Sequence, residues 1–335
     1  MLRLPRFRYL RPKTAREAAS MAAELGTRAM FVAGGTDLFP KLKRRQFEID
    51  TLIGLDFQSR EIHDGGAACV IDAGVTLSAA SRDAHLNAMF PGYAQAAGLV
   101  SSPPLRNAGT IGGNLCVDTR CNYYDMTYEW RKAAGFCLKK DGDICLVAPS
   151  SPRCWAVSSS DTAPMAMALD GWVILAGPDG DRELPVAALY RDDGIEYMAK
   201  RPTEVVTGLR LTAAPNTRSA YVKLRRRGSI DFPIAGAAVA VALDGDTIAG
   251  CRIVLSGVAS HPLEVPAADE FLKGKRADRE ILKEAADLAA KPAKPLDNAD
   301  LSHFWRKRMV HVVVEQALEI ATTSTRGSMV KLSQQ

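Results

Sequence analysis

The sequence predicts an α+β protein of two parts that meet near residue 215, and three observations support this prediction. The chain has 335 residues, enough for two or three subdomains with an ample apolar core. Its first two thirds combine short apolar runs, helical stretches and glycine-rich turns. Its last third contains a hairpin signal around Asp244-Gly245-Asp246, followed by three helical stretches near residues 266–273, 276–290 and 300–322.

Composition excludes several classes of protein. Hydrophobic residues make up 47% of the chain and charged residues 24%, as in an ordinary globular protein. The net charge is only +5, and the basic runs at 41–45 and 225–227 contain no aromatic residues, so we expect no nucleic-acid partner. The N-terminus lacks the apolar segment of a secretory signal, and the longest apolar stretch, 232–243, is too short to span a membrane. We therefore expect a cytoplasmic protein.

The helices and strands of the first two thirds of the chain are predicted from local patterns. Thr14 and Glu17 form a capping-box pattern, and the apolar stripe of a helix continues from there to Gly26. An apolar run at 29–33 predicts a strand that ends in a glycine turn. Further strands are predicted at 51–55, 69–73, 172–176 and 204–211, and further helices at 77–89, 92–100 and 161–171.

Two glycine-rich turns, at residues 32–38 and 107–114, form a candidate nucleotide site. Glycine lets main-chain N–H groups approach a ligand closely, and successive amides in a turn can hold phosphate oxygens. The first turn matches neither the GxGxxG fingerprint nor the P-loop. Together the two turns could hold a pyrophosphate from opposite sides. The alternative is that they are two tight turns in a packed sheet.

Five of the seven cysteines lie in one stretch without helical or strand period, namely Cys116, Cys121, Cys137, Cys145 and Cys154. In a reducing compartment they would be free thiols or metal ligands rather than disulfides. Their spacing shows neither the C-x₂-C pairs of a zinc ribbon nor a thioredoxin-like pair. A four-cysteine iron–sulfur cluster tolerates dispersed ligands. A cluster, a zinc site and reduced structural thiols all remain open, and spacing does not say which four cysteines would be ligands.

No side-chain set for catalysis is found in the sequence. The five histidines are scattered, and none stands in a metalloprotease or nucleophile-elbow context. We therefore assign no catalytic residue and expect the chemistry to belong to bound cofactors.

Five short sequences along the chain form a recognisable set, namely AGGTDL at 33–38, DAGVTL at 72–77, RNAGTIGGNLC at 106–116, DTAP at 161–164 and YVKLR at 221–225. As a set they resemble the FAD-binding medium subunit of the xanthine dehydrogenase family of molybdenum hydroxylases. The resemblance implies a PCMH-type (vanillyl-alcohol-oxidase-like) FAD-binding domain at 1–215, with two subdomains split near residue 55. It also implies a CO-dehydrogenase-flavoprotein-like C-terminal domain at 216–330, with an antiparallel sheet and helices.

The same resemblance implies a set of FAD contacts. The two turns would line the pyrophosphate, Asp161 and Lys223 would also contact the cofactor, and Val206 would pack near the flavin ring. Thr76 is a further contact. The complete set is Val32, Ala33, Gly34, Gly35, Thr36, Asp37, Leu38, Thr76, Asn107, Thr110, Gly113, Asn114, Asp161, Val206 and Lys223.

An insertion at residues 117–158 resembles the β subunit of 4-hydroxybenzoyl-CoA reductase, in which the equivalent segment binds a 4Fe–4S cluster. Matched residue by residue, the resemblance makes Cys121, Cys137, Cys145 and Cys154 the cluster ligands. It assigns Cys116 to the turn that precedes the insertion.

The function implied is that of an electron-transfer subunit of a larger complex used in aromatic degradation. Its partners would be a molybdopterin-binding large subunit and a small subunit with 2Fe–2S clusters, in a dimer of heterotrimers. Electrons from a ferredoxin-like donor would pass through the 4Fe–4S cluster and FAD to molybdenum, where an aromatic CoA thioester loses its hydroxyl group. The alternatives are a hydroxylating enzyme with outward electron flow, a non-redox scaffold with a zinc loop, and a free-standing flavin oxidase, for which the sequence shows no substrate base.

Overall fold

The first part of the chain is a small parallel sheet with its helices. The structure, a computed structural model, describes residues 2–66, 68–212 and 214–323. The elements here are β1 (Arg8–Leu10), α1 (Ala15–Leu25), β2 (Ala29–Val32), α2 (Leu38–Lys43) and β3 (Thr51–Gly54). The strand order is β1-β3-β2, with β3 parallel to both neighbours. Helix α1 begins as predicted, because the Thr14 hydroxyl accepts a hydrogen bond from the Glu17 N–H at 3.1 Å.

The middle part combines a five-stranded antiparallel sheet with short helices. Its strands are β4 (Ile62–Gly65), β5 (Ala68–Asp72), β6 (Trp172–Gly177), β7 (Gly180–Pro185) and β8 (Val205–Thr212), in the order β4-β5-β8-β6-β7. Its helices are α3 (Leu77–Arg82), α4 (Ala84–Met89), α5 (Pro91–Leu99), α6 (Pro103–Ala108), α7 (Ile111–Leu115), α8 (Tyr128–Ala133) and α9 (Thr162–Ala168). The single helix predicted at 77–89 is two helices. Asp83 ends α3, and its carboxylate accepts the Leu86 N–H at 2.8 Å and so caps α4.

The last part is an antiparallel sheet covered by helices, as predicted. It contains β9 (Thr217–Leu224), β10 (Ala235–Asp244), β11 (Thr247–Ser256), β12 (Leu263–Glu264), α10 (Pro266–Leu272), α11 (Arg279–Ala290) and α12 (His303–Thr323), and the strand order is β12-β11-β10-β9. Gly245 turns the hairpin with φ of +58°, a conformation that glycine adopts without strain. The proposed end of this domain, residue 330, lies outside the described residues.

The middle and last parts share one apolar core. Tyr221 of β9, Ala238 of β10 and Val254 of β11 are buried in the same cluster as Ile71 and Leu209 of the middle sheet. Helices α11 and α12 complete a second core on the other face of the last sheet. The mixed helix-and-sheet architecture with an antiparallel C-terminal sheet is therefore confirmed. No helix within the described ranges is long and apolar enough to cross a membrane.

Candidate functional site

The first predicted turn runs from the end of β2 to the start of α2. Gly35 has φ of +68°, and a Cβ on Gly34 would lie 2.0 Å from the carbonyl oxygen of Ala108, so glycine is required at both positions. The main-chain N–H groups of residues 34–37 donate no hydrogen bond to any other described residue. They form the kind of cradle that holds phosphate oxygens.

The segment predicted as the second turn, residues 107–114, lies directly against the first, but most of it is helical. Its first two residues end α6, residues 111–114 belong to α7, and only Gly109 and Thr110 form the connection between the two helices. Ala108, whose carbonyl faces Gly34, ends α6, and α7 begins after Thr110. The Thr110 hydroxyl accepts the Gly113 N–H at 3.1 Å. A bridge also pairs Thr110 with Thr76, the residue that caps α3. The structure thus brings both turns and Thr76 together, as an enclosed pyrophosphate would require.

Asn114 connects the second turn to the start of α9. Its side-chain oxygen accepts hydrogen bonds from the hydroxyl groups of Ser160 at 2.8 Å and Thr162 at 2.7 Å. Asp161, between these two residues, is buried with Lys223 of β9, and Lys223 Nζ lies 2.7 Å from Asp161 Oδ2. The site therefore draws residues from the middle and last parts of the chain.

The remaining predicted FAD contacts differ in their exposure to solvent and in the core against which they pack. Asn107 is exposed in the last turn of α6, whereas Val206 lies in β8 with 5% of its surface exposed, within the main apolar core. Val32 is buried in a small apolar core with Leu42 and Leu52. Asp37 Oδ1 lies 2.9 Å from the Arg120 guanidinium. Burial raises the pKa of Asp37, and Lys41 and Arg120 oppose that rise.

The four predicted ligand cysteines are buried free thiols. Cys121, Cys137, Cys145 and Cys154 are each 4–7% exposed, although most of the loop that carries them lacks regular structure. Cys121, Cys137 and Cys154 pack in one cluster with Tyr124 and Ala156. Cys116 instead packs against the main core, away from this cluster.

Burial controls the chemistry of these thiols. It raises the pKa of Cys121 to about 12, although N–H groups of Tyr123 and Tyr124 oppose the rise. It also raises the pKa of Cys154 to about 11, and the Ala156 N–H donates to Cys154 Sγ at 3.4 Å. Such thiols stay protonated at neutral pH unless a bound metal centre displaces the proton. Main-chain N–H donors directed at sulfur are one of the features that tune iron–sulfur clusters.

The donor set fits a cluster by its chemistry. Within the described ranges, no three side chains of His, Cys, Asp or Glu are placed to hold one metal ion. The thiolates of a cubane bind four different iron atoms and therefore stand further apart than the ligands of one ion.

A cavity of about 340 Å³ lies beside the cysteine loop, between that loop and residues 227–234. Of the predicted site residues, Cys121 lines it, and the predicted FAD contacts do not. The Arg120 guanidinium stands 3.6 Å from the centre of the Phe232 ring at its wall. Several of its charged residues pair with one another, for example Arg120 with Asp125 at 3.0 Å.

Two residues of the site, Gly194 and Tyr221, were not predicted from the sequence as site residues. A Cβ on Gly194 would lie 2.6 Å from Cys154 Sγ, so the loop after Tyr190 packs directly against Cys154. The Tyr221 hydroxyl donates to Asp161 Oδ1 at 2.8 Å. An Asp-Gly turn signal at 193–194 and the aromatic residue in YVKLR were visible in the sequence, but neither indicates which distant residue it meets.

Comparison with known proteins gives two family matches that cover most of the chain. The model described as the FAD binding domain in molybdopterin dehydrogenase matches residues 5–212. The model described as the CO dehydrogenase flavoprotein C-terminal domain matches residues 219–321.

Individual proteins show the same likeness. The carbon monoxide dehydrogenase medium chain of Hydrogenophaga pseudoflava is 28% identical over 95% of this chain and 97% of its own length. The aldehyde oxidoreductase FAD-binding subunit PaoB of Escherichia coli is 30% identical over 79% of this chain and 86% of its own. A solved structure of the Hydrogenophaga carbon monoxide dehydrogenase, in a form that lacks the Mo-pyranopterin moiety, superposes with a TM-score of 0.77 over 95% of this chain and 98% of that one, at 28% identity.

These matches confirm the predicted fold class, a PCMH-type FAD-binding domain followed by a CO-dehydrogenase-flavoprotein-like domain. They do not single out 4-hydroxybenzoyl-CoA reductase. The matched family descriptions name FAD and CO dehydrogenase and no iron–sulfur cluster on this subunit, so the 4Fe–4S cluster remains a prediction.

Proposed function

We propose that this chain, which belongs to the family of FAD-binding subunits of molybdenum hydroxylases, carries a 4Fe–4S cluster in addition to FAD and transfers electrons within a larger enzyme complex. The observation that carries the proposal is the set of four buried thiols in the insertion at 117–158. When bound, FAD supplies a store for two electrons and the cluster exchanges them singly.

For FAD, the proposed contacts are the residues of the two turns with Thr76, Asp161, Val206 and Lys223. The free N–H groups of residues 34–37 would bind the pyrophosphate, since no described residue accepts a hydrogen bond from them. The close contact between Gly34 and the carbonyl oxygen of Ala108 would keep the two turns together around the pyrophosphate. Lys223 and Asp161 would orient the polar edge of the flavin, and Val206 would offer an apolar surface.

For the cluster, the proposed ligands are Cys121, Cys137, Cys145 and Cys154. Their burial and the raised pKa of Cys121 and Cys154 argue against reactive free thiols. The N–H groups near Cys121 and Cys154 would donate to thiolate sulfur. Cys116 is excluded from the ligand set because it packs elsewhere.

The domain organisation stays part of the proposal. We assign residues 1–215 to the FAD-binding domain, split near residue 55 and interrupted by the cluster loop at 117–158, and residues 216–330 to the C-terminal domain. The small parallel sheet ends at Gly54 and the last sheet starts at Thr217, which is compatible with both boundaries.

The proposed partners are a molybdopterin-binding large subunit and a 2Fe–2S small subunit, in a dimer of heterotrimers. The relatives are named as a medium chain and as an FAD-binding subunit, which supports a role inside such an assembly. We place the complex in the cytoplasm, where buried thiols remain reduced before a metal centre is inserted.

For the reaction, we propose the reductive dehydroxylation of an aromatic CoA thioester, as in 4-hydroxybenzoyl-CoA reductase, with a ferredoxin-like donor. The insertion at 117–158 favours this reaction. The alternative is a hydroxylating dehydrogenase with outward electron flow, and the relatives named as CO dehydrogenase and aldehyde oxidoreductase favour that alternative.

The direction of electron flow is tested with the complete complex, purified anaerobically and kept free of substrate. The reductive role predicts that reduced ferredoxin, or a reduced viologen dye as its substitute, bleaches the visible absorption within the mixing time. Bleaching by an aldehyde or a heteroaromatic compound, with no response to ferredoxin or viologen, would reject the reductive role in favour of the hydroxylating one.

A further inference from the structure

Asp118, at the start of the cysteine loop, lies between two buried lysines. Lys41 Nζ lies 2.7 Å from Oδ2 and Lys139 Nζ lies 2.8 Å from Oδ1. The three side chains are 9%, 1% and 6% exposed, in the order Asp118, Lys41, Lys139. Burial on its own would raise the pKa of Asp118, but the two lysines lower it to about 2, so Asp118 is a carboxylate at neutral pH.

The two lysines come from the two proposed cofactor sites. Lys41 belongs to α2, which follows the first glycine turn directly, whereas Lys139 belongs to the cysteine loop. Lys139 also donates to the Thr119 hydroxyl at 2.7 Å and to the carbonyl of Gly194, the residue that packs against Cys154. One carboxylate therefore connects the turn proposed for FAD with the loop proposed for the cluster.

One buried aromatic ring, that of Tyr124, contacts both these lysines and the cysteines. The Tyr124 ring centre lies 4.7 Å from Lys41 Nζ and 4.8 Å from Lys139 Nζ. The same side chain is 2% exposed and packs in one cluster with Cys121, Cys137 and Cys154. Tyr124 thus contacts both ammonium groups and the cysteine cluster in a region that is buried from solvent.

The ion pairs around Asp118 form one connected network with an excess of positive charge. Lys41 also lies 3.7 Å from Asp125, which Arg44 and Arg120 contact as well, and Arg120 reaches Asp37. Among the residues that the structure describes, the network contains four cations and three carboxylates, namely Lys41, Arg44, Arg120, Lys139, Asp37, Asp118 and Asp125.

A fixed cation in a desolvated site acts on a nearby redox centre by its charge. A thiolate-bound cluster becomes more negative when it is reduced, so a nearby positive charge stabilises the reduced form. Salt screens such an interaction little, because the charges are buried. A network that only held the loop in place would have no such dependence on the sign of its charges.

We propose that Lys41 and Lys139, joined through Asp118, raise the reduction potential of the cluster and are positioning residues for electron transfer. This inference rests on the proposed function, because it requires a cluster on Cys121, Cys137, Cys145 and Cys154. The lysines act as fixed charges, and no proton moves.

The test is a redox titration of the full chain with any copurifying subunits, followed by electron paramagnetic resonance of the reduced four-iron centre. The Lys41→Met variant removes a cation, and Asp118→Asn removes a carboxylate from the same network. Lys132→Met is the matched control, since it removes an exposed lysine from the same loop. Iron content is measured for each variant.

We expect opposite shifts at unchanged iron content. At a given solution potential, the ratio of reduced to oxidised cluster should fall about tenfold in Lys41→Met, which is about 59 mV for one electron. The ratio of reduced to oxidised cluster should rise in Asp118→Asn and stay constant in Lys132→Met. Both shifts should persist in high salt.

Three results would overturn the inference: shifts of the same sign, shifts no larger than that of Lys132→Met, or loss of iron from either network variant, which would make the network purely structural. An unsubstituted chain without iron would instead refute the proposed cluster itself.

Discussion

Lys223 Nζ lies 2.7 Å from Asp161 Oδ2, and the two side chains are only 1% and 2% exposed. The pair joins the start of α9 to β9, and so connects the middle part of the chain to the C-terminal sheet. Tyr221 completes it by donating to the other carboxylate oxygen of Asp161. Burial raises the pKa of Asp161 and lowers that of Lys223, while their mutual attraction opposes both changes.

Breaking this pair should destabilise the protein strongly. Asp161→Asn leaves the buried Lys223 without its counter-charge, and we expect a loss of about 3–5 kcal/mol in the free energy of unfolding. Urea unfolding measures it. The control is Asp300→Asn, whose partner Arg226 lies 3.4 Å away with both side chains 59% exposed, for which we expect a loss of about 0–1 kcal/mol. Equal losses in the two variants would contradict this interpretation of the buried pair.

The contact between the two glycine turns gives a prediction for FAD. In Gly34→Ala the new methyl group would lie 2.0 Å from the Ala108 carbonyl oxygen, so one turn must move. We expect FAD affinity to fall by more than about tenfold, or about 1.4 kcal/mol, measured by flavin absorbance during dialysis. Gly250→Ala is the control, since a Cβ there meets nothing within 4 Å. Full FAD retention in Gly34→Ala would argue against the turns as the pyrophosphate site.

The C-terminal part could be predicted from local patterns because its elements are determined locally. The Asp244-Gly245-Asp246 turn and the apolar periodicity of the three helices are each contained in a short stretch of sequence. Helix 77–89 was predicted wrongly as one element, because its apolar pattern continues through Asp83, which in the structure caps a new helix.

Residues of the site could be predicted only where they belong to a short sequence motif. Both segments were found because glycine, threonine and asparagine mark them in the sequence, but the second was wrongly predicted as a turn, since residues 107–108 and 111–114 are helical. The network around Asp118 could not be found, because Lys41 and Asp118 are 77 residues apart and a sequence pattern carries no information about such a pairing. Gly194 was missed for the same reason, since its role depends on contact with Cys154.

Gly194 gives a prediction that separates the cluster from FAD. In Gly194→Ala the new methyl group would lie 2.6 Å from Cys154 Sγ. We expect the iron content of the purified chain to fall at least by half while its FAD content stays unchanged. Gly98→Ala, where the nearest atom to a Cβ is at 3.4 Å, is the control. Parallel loss of iron and FAD would mean a general folding defect.

The raised pKa of Asp269 predicts that the stability of the protein depends on pH. Burial raises its pKa from 3.8 to about 7, so between these values the folded protein holds a proton that the unfolded chain has lost. Its contribution therefore makes the free energy of unfolding fall as pH rises from about 4 to about 7. Because Asp269 is partly exposed, we expect a fall of about 1–2 kcal/mol.

Asp269→Asn should remove this part of the slope. Urea unfolding at pH 5 and pH 8 measures the difference between the variant and the unsubstituted chain, in which all other titrating groups cancel. Identical slopes in the two proteins would show that Asp269 titrates in its ordinary range.

Whether four cysteines of the insertion bind an iron–sulfur cluster is decided by the metal, sulfide and FAD content of the anaerobically purified chain. We expect four iron, four sulfide and one FAD per chain, loss of the iron in Cys137→Ser, and its full retention in Cys116→Ser, whose thiol packs elsewhere. Zinc in place of iron, no metal at all, or equal iron loss in both variants would refute the cluster.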